Sequence, residues 1–220
     1  MIFRLDPQRP DFPHPSLAEE GGLLAVGGDL SPQRLLNAYA QGIFPWYSEH
    51  TPILWYAPHD RFVLYPQQVK VSKSMQKTLD RQEFTCTTDR AFEQVISNCS
   101  RIQRKDQDGT WIVSDMITAY NTLHQLGHAH SIEVWQDGNL VGGLYGILVG
   151  KIFCGESMFS KISNASKAAL IYLCQNYSLD LIDCQIHSTH LESMGAEMMT
   201  QQDYLNILAQ QAYRPNGLQI

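Results

Sequence analysis

A chain of 220 residues with 44% hydrophobic and 17% charged residues can bury a sizeable core, as one large domain or as a domain with a small companion. Its formal net charge of −6 speaks against broad, salt-driven coating of nucleic acid, and no apolar run approaches the ~20 residues of a bilayer-spanning helix. Five cysteines without a C-x-x-C pair indicate neither a disulfide framework nor a cysteine zinc site; with no signal-peptide core at the N-terminus, a cytoplasmic chain with reduced thiols is expected.

Residues 1–62 hold most of the prolines, the pairs Gly21-Gly22 and Gly27-Gly28, and four aromatic residues between Phe44 and Trp55. They read as a small, loop-rich N-terminal domain. Its one clear helix starts with Ser31 as N-cap and Pro32 at the first helical position, and runs through Leu35, Leu36 and Tyr39 until Gly42 stops it. The segment Ile43-Phe44-Pro45-Trp46-Tyr47 that follows is either a packed plug between domains or a stacking surface.

Residues 63–220 read as the second domain, made of regular elements. A strand at Phe62–Tyr65 precedes helices near Ser72–Leu79, Ala91–Ser100 and Ser114–Leu126. Strands at His130–Trp135, Leu140–Tyr145 and Ile152–Met158 are joined by turns at Asp137-Gly138 and Gly150, which is an antiparallel meander. A helix capped by Ser163 or Asn164 buries Ala168, Leu170, Ile171 and Cys174, and a strand at Leu181–Ile186 closes the unit. This order predicts an α+β fold with a mixed sheet of the N-acyltransferase (GNAT-like) type and flanking helices.

Strict alternation in the last strand puts Asp183 and Gln185 on one face, with Ile182, Cys184 and Ile186 on the other. The polar pair is either a hydrogen-bonded structural feature or a site of chemistry. In Phe153–Ser160 the same alternation groups Cys154, Glu156 and Met158; Glu156 is either part of a buried structural ion pair or a hydrogen-bond acceptor for a cationic amine. His124, His128 and His130 do not form a convincing metal set, because Gly127 ends the helix between them, and His187 with His190 lacks a third ligand. The segment Ser160–Lys167 has no glycine, so the usual coenzyme pyrophosphate cradle is missing and a different acyl donor is expected.

Six segments together closely resemble one family. They are Gly22-Leu23-Leu24-Ala25-Val26-Gly27-Gly28-Asp29-Leu30, Gly42-Ile43-Phe44-Pro45-Trp46, Gly109-Thr110-Trp111-Ile112, Gly127–Trp135, Phe153-Cys154-Gly155-Glu156-Ser157-Met158-Phe159-Ser160 and Leu181-Ile182-Asp183-Cys184-Gln185. In this order, over nearly the whole chain, they resemble leucyl/phenylalanyl-tRNA–protein transferase.

The resemblance implies a cofactor-free, metal-free aminoacyltransferase. It would move Leu, Phe or Met from aminoacyl-tRNA to the N-terminal Arg or Lys of proteins, marking them for N-end rule degradation, as a cytoplasmic monomer with no membrane partner. By match, Asp183 and Gln185 are the catalytic pair, Trp46 and Trp111 flank the terminal adenosine, and Glu156 helps hold the aminoacyl group. Leu144, Phe153, Met158, Leu170, Leu173, Tyr177 and Ile182 form the side-chain pocket, and Lys73, Lys77 and Arg81 the tRNA-binding helix. Leu144 stands where methionine is familiar, Leu173 and Tyr177 where phenylalanines are, and Asp80 where a basic residue is common; a peptidoglycan-type aminoacyl-tRNA transferase, usually built from doubled domains, and a silent tRNA-binding module are the competing expectations.

Overall fold

The computed structural model describes residues 1–102 and 112–211. The first part of the chain contributes β1 (Phe3–Leu5), β2 (Leu23–Gly27), α1 (Pro32–Tyr39), β3 (Phe44–Pro45) and β4 (Leu54–Tyr56), whose strands form a sheet of order β1-β2-β4-β3. These strands are two to five residues long, too short for an alternation pattern, which is why the sequence suggested only loops. The predicted start of α1 is present: Ser31 Oγ accepts from Arg34 N at 3.4 Å, and Pro32 occupies the first turn.

The rest is β5 (Asp60–Leu64), α2 (Lys73–Asp80), β6 (Thr85–Thr88), α3 (Phe92–Arg101), α4 (Ser114–Gln125), β7 (Ala129–Gln136), β8 (Asn139–Val149), β9 (Ile152–Ser160), α5 (Ala165–Asn176), β10 (Leu181–Gln185), α6 (Thr189–Ser193), β11 (Glu197–Thr200) and α7 (Gln201–Ala209). Among the described residues the second sheet has the order β11-β5-β10-β9-β8-β7-β6. It is mixed: β9 and β10 run parallel through the α5 crossover, and the other neighbours are antiparallel. The predicted meander is β7-β8-β9, with Asp137 and Gly138 both at positive φ in its first turn. Helix α5 packs on one face of this sheet, and α3 with α4 on the other. Asn164 is the N-cap of α5 but does not cap through its side chain: it sits at φ 71, and its amide nitrogen donates to Thr78 Oγ1 at 3.4 Å. Two of the histidines weighed as ligands serve the fold: His124 stacks on Phe92 and donates to the Ala129 carbonyl, while His130 donates to Asp89.

Two bulges overturn the strict alternation expected for β9 and β10. In β9, Gly155 opposes Gly146 and Ser157 opposes Tyr145, so Glu156 is an inserted residue. Before it Phe153 faces α5 and Cys154 the other side; after it Met158 faces α5 and Phe159 the other side. Glu156 therefore does not share a face with both Cys154 and Met158. In β10, Asp183 opposes Val63 and Gln185 opposes Phe62, so Cys184 is inserted and Gln185 takes φ 65. Directly opposed antiparallel residues point the same way. Val63 lies in the core beneath α3 and α4 and Phe62 in the core beneath α5, so Asp183 and Gln185 project to opposite faces instead of one.

Asp183 is fully buried and holds the two parts of the chain together. Arg61 Nε and Nη2 donate to its two carboxylate oxygens at 2.8 and 2.7 Å, and Tyr204 Oη from α7 donates at 3.0 Å. The same guanidinium donates through Nη1 to the Gly42 carbonyl at 2.9 Å and lies between the rings of Phe44 and Tyr204. A bidentate, fully desolvated pair of this kind is costly to break from one side. Arg61→Met is expected to lower the urea-unfolding free energy by about 3–5 kcal/mol, and Asp183→Asn added to it to restore part of that loss. Strictly additive losses in the double variant would show that the two charges are not coupled.

Candidate active site

Pairing between β9 and β10 ends at Cys154 and Asp183, although β9 continues to Ser160 and β10 to Gln185. The strands part there, and a cavity of about 450 Å³ opens between them. That volume suits a small ligand or the end of a larger one. Its inner part is apolar, walled by Leu144, Phe153, Leu170, Leu173 and Ile182, all buried in the α5-side core. Phe44, Pro45 and Trp46 form a second wall, and Ile186, His187, Ser188, His190 and Leu191 a third. Trp46 is half-buried and tilts against Tyr56 with ring centroids 5.5 Å apart.

Between the walls sits a buried polar pair. Gln185 Nε2 donates to Glu156 Oε1 at 2.8 Å, and Tyr120 Oη donates to Glu156 Oε2 at 2.9 Å. Tyr120 is in turn hydrogen-bonded to Tyr39 Oη, so α1 and α4 both support the carboxylate. Because the amide nitrogen of Gln185 is committed to a carboxylate, its carbonyl oxygen is the atom left to accept from a ligand. Burial raises Glu156 from 4.5 to about 7; the hydroxyls and the Gln185 amide oppose that rise, and the charge on Asp183 adds to it. Tyr120 and Tyr39 are held well above the usual phenol range, first by burial and then by the Glu156 charge, so both stay neutral donors.

Asp183 stands behind this pair and is not part of the cavity wall. Its link to Gln185 is through the main chain: Gln185 N donates to Asp183 Oδ1 at 2.9 Å. The aspartate thus fixes the backbone of the glutamine and does not touch the side-chain amide. Cys184 lines the cavity but is no nucleophile, since burial lifts its thiol far above the range in which a thiolate forms.

Of the residues predicted from sequence, the structure gathers Trp46, Leu144, Phe153, Glu156, Met158, Leu170, Leu173, Ile182 and Gln185 around one cavity. Tyr177 is not among its lining residues; it is half-buried and hydrogen-bonded to Thr88 Oγ1. Trp111 lies outside the described residues. Lys73, Lys77 and Arg81 are exposed on or just after α2, where Arg81 approaches Glu83 at 3.6 Å and Asp80 accepts from Gln76. Sequence reasoning missed Arg61, Tyr39, Tyr120 and Tyr204. Only Arg61 carried a local signal, as a charge opening the apolar run Phe62-Val63-Leu64. It also missed Phe44, Pro45, Tyr145, Gly155 and Ser157 in the walls.

Residues 63–209 match the leucyl/phenylalanyl-tRNA protein transferase family, and residues 28–59 match the N-terminal domain of leucyl/phenylalanyl-tRNA protein transferase. A leucyl/phenylalanyl-tRNA–protein transferase from Hydrogenovibrio crunogenus is 50% identical over 217 residues, covering 96% of this chain and 85% of its own length. One from Syntrophus aciditrophicus is 53% identical over 207 residues, covering 93% and 87%. Among solved structures, a GCN5-related N-acetyltransferase from Kribbella flavida aligns with 76% of this chain and 60% of its own at TM-score 0.37 and 8% identity. L-PGS from Bacillus licheniformis aligns with 76% and 54% at TM-score 0.41 and 12% identity. With both parts of the sequence matched and half of all positions shared with such relatives, the chain belongs to the leucyl/phenylalanyl-tRNA protein transferase family.

Proposed function

We propose that the cavity holds the aminoacylated 3′ end of a tRNA, with the amino-acid side chain among Leu144, Phe153, Leu170, Leu173 and Ile182 and the terminal adenosine against Trp46. The protein is an aminoacyltransferase that moves leucine or phenylalanine from aminoacyl-tRNA to the N-terminal Arg or Lys of an acceptor protein. Methionine is a third donor. Residues 1–62 act as a small N-terminal domain and 63–220 as the catalytic domain of a cytoplasmic monomer.

An aminoacyl ester is already activated, so the site has to align an amine and manage one proton. Ionised Glu156 accepts from the donor's α-ammonium group, and the Gln185 carbonyl oxygen accepts an N–H of the incoming amine. That amine, with a pKa of about 8, is partly neutral at pH 7. Its lone pair attacks the ester carbonyl carbon, the C–N bond forms as the C–O bond to the ribose breaks, and the amine proton passes to the departing ribose oxygen. An amide is too weak a base to keep that proton, so Gln185 orients the amine, and Asp183 is a positioning residue acting through the Gln185 backbone. The observation that supports this reading most directly is the 2.8 Å contact between Gln185 Nε2 and Glu156 Oε1 beside an apolar pocket.

Incubation with leucyl-tRNA and peptides beginning with Arg, Lys or Ala should label the first two and spare the third; transfer to none overturns the proposal. Gln185→Ala should abolish most transfer while leaving donor binding nearly intact.

Glu156 also gives a pH signature. Since burial raises its pKa from 4.5 to about 7, the stability it contributes is fully present below 4.5 and lost as pH rises through about 7. Wild-type stability should fall over that window by an amount on the order of 3 kcal/mol. Glu156→Gln should flatten the fall in denaturation profiles and weaken donor binding; a variant with the wild-type slope would assign the titration elsewhere.

The exposed cations of α2 serve the tRNA backbone, and Asp80 among them opposes it. Asp80→Lys should tighten tRNA binding and steepen its log–log salt dependence by about one. An unchanged salt slope would place this helix away from phosphate.

A further inference from the structure

Four glycines interrupt β8 and β9 in the middle of the sheet, although glycine weakens a strand interior. For three of them the fold itself supplies the reason. A Cβ at Gly142 would come within 2.5 Å of Ala165 Cβ, one at Gly143 within 2.7 Å of the Ile132 carbonyl oxygen, and one at Gly146 within 2.2 Å of the Cys154 carbonyl oxygen. Gly155 is different. Its φ is not positive, and a Cβ built on it would meet, among the described residues and beyond its chain neighbours, a single atom within 4 Å, the Asp183 carbonyl oxygen at an ordinary 3.6 Å. Nothing in the backbone conformation or in the packing of the chain calls for glycine there.

What Gly155 does border is the cavity. It precedes the inserted Glu156, follows the pocket residue Phe153 by two positions, and lies where β10 turns away from β9 toward Gln185. Among the described residues, and apart from its two chain neighbours, a methyl group at this point would meet the chain at the Asp183 carbonyl oxygen alone. A strand glycine without a structural cause, on the wall of a binding site, marks a place where a ligand approaches the backbone closely.

We propose that Gly155 is a positioning residue whose missing side chain makes room for the ester carbonyl of the aminoacyl-tRNA as it becomes tetrahedral. This rests on the donor placement given above. With the amino-acid side chain in the apolar half and the adenosine against Trp46, the ester lies between them, beside Glu156 and Gln185. When the amine nitrogen bonds to the carbonyl carbon, the trigonal centre acquires a fourth substituent and its oxygen moves out of the ester plane. The intermediate then loses the ribose oxygen, which takes the proton released by the amine, and the new amide is planar again. The bulkiest species on this path is the tetrahedral one, so a methyl group at residue 155 obstructs the transition state more than it obstructs the bound ester.

The test is Gly155→Ala, with Gly146→Ala as the control for steric damage to the fold. Gly155→Ala should keep the wild-type thermal midpoint or exceed it, whereas Gly146→Ala should lose stability. In transfer of leucine from leucyl-tRNA to an arginine-first peptide, Gly155→Ala should lower kcat by about 100-fold, the scale expected when reacting groups are displaced by about 1 Å. Its KM for leucyl-tRNA should change by less than about threefold, because an obstruction felt only in the transition state appears in kcat. Wild-type protein in the same assay separates the two claims, since failure of the wild type overturns the function, whereas the comparison of the variant with an active wild type bears on Gly155 alone. Given an active wild type, three results overturn the role of Gly155: kcat within about twofold of wild type, a rise in KM alone, or a fallen thermal midpoint, which would mean that the fold requires the glycine after all.

Discussion

The buried contact between Arg61 and Asp183 is the constraint on which the rest of the site depends. Arg61 lies on β5 and Asp183 on β10, and the same guanidinium reaches back to the Gly42 carbonyl just before the aromatic segment that carries Trp46. One ion pair therefore ties the strand bearing Gln185 to the segment bearing the Phe44–Trp46 wall of the cavity. Taking two charges out of water is expensive, and the geometry answers that expense with two parallel N–H···O bonds, a tyrosine hydroxyl and a backbone N–H on the same carboxylate. With those partners in place Asp183 has little freedom left to act on a substrate. Its contribution is to hold the main chain of Gln185 at φ 65, a conformation that an ordinary strand residue avoids.

The second carboxylate, Glu156, has the opposite character. Among the described residues it is buried without a cation, beside two tyrosines and a glutamine, and burial pushes its pKa up to about 7. A group poised between charged and neutral, beside an apolar pocket, is what a cationic ligand can draw into its ionised form. The protein accepts a loss of stability at neutral pH by keeping it there. Two carboxylates on neighbouring strands thus differ: Asp183 is neutralised by Arg61 and structural, and Glu156 lines the cavity.

Both depend on bulges. Without the inserted Glu156 in β9, Phe153 and Met158 would face opposite sides of the sheet; without the inserted Cys184 in β10, Gln185 would lie on the face of Asp183 and away from the cavity. The elements themselves were largely legible: the Ser31 and Ser72 helix starts, the Asp137-Gly138 hairpin and the β9–α5–β10 crossover follow from local chemistry. Most of the apolar residues of the inner pocket were legible through resemblance, although Tyr177, expected among them, does not line it. Their common orientation was not, because an inserted residue leaves no mark in the hydrophobic pattern that its own insertion reverses.

The amino-acid sequence by itself determined the family, the mixed α+β character of the chain and the choice of Glu156 and Gln185 as candidate site residues, because those follow from short segments whose order and local preferences are written along the chain. Only the tertiary structure decided which of the polar residues face the cavity. That choice depends on strand register, on the parting of β9 from β10 beyond Asp183, and on partners such as Arg61, Tyr120 and Tyr204 that lie between 21 and 122 residues away from the groups they hold. Burial and hydrogen bonding are properties of neighbours in space, and a linear pattern specifies a side chain's neighbours only where the strand stays regular.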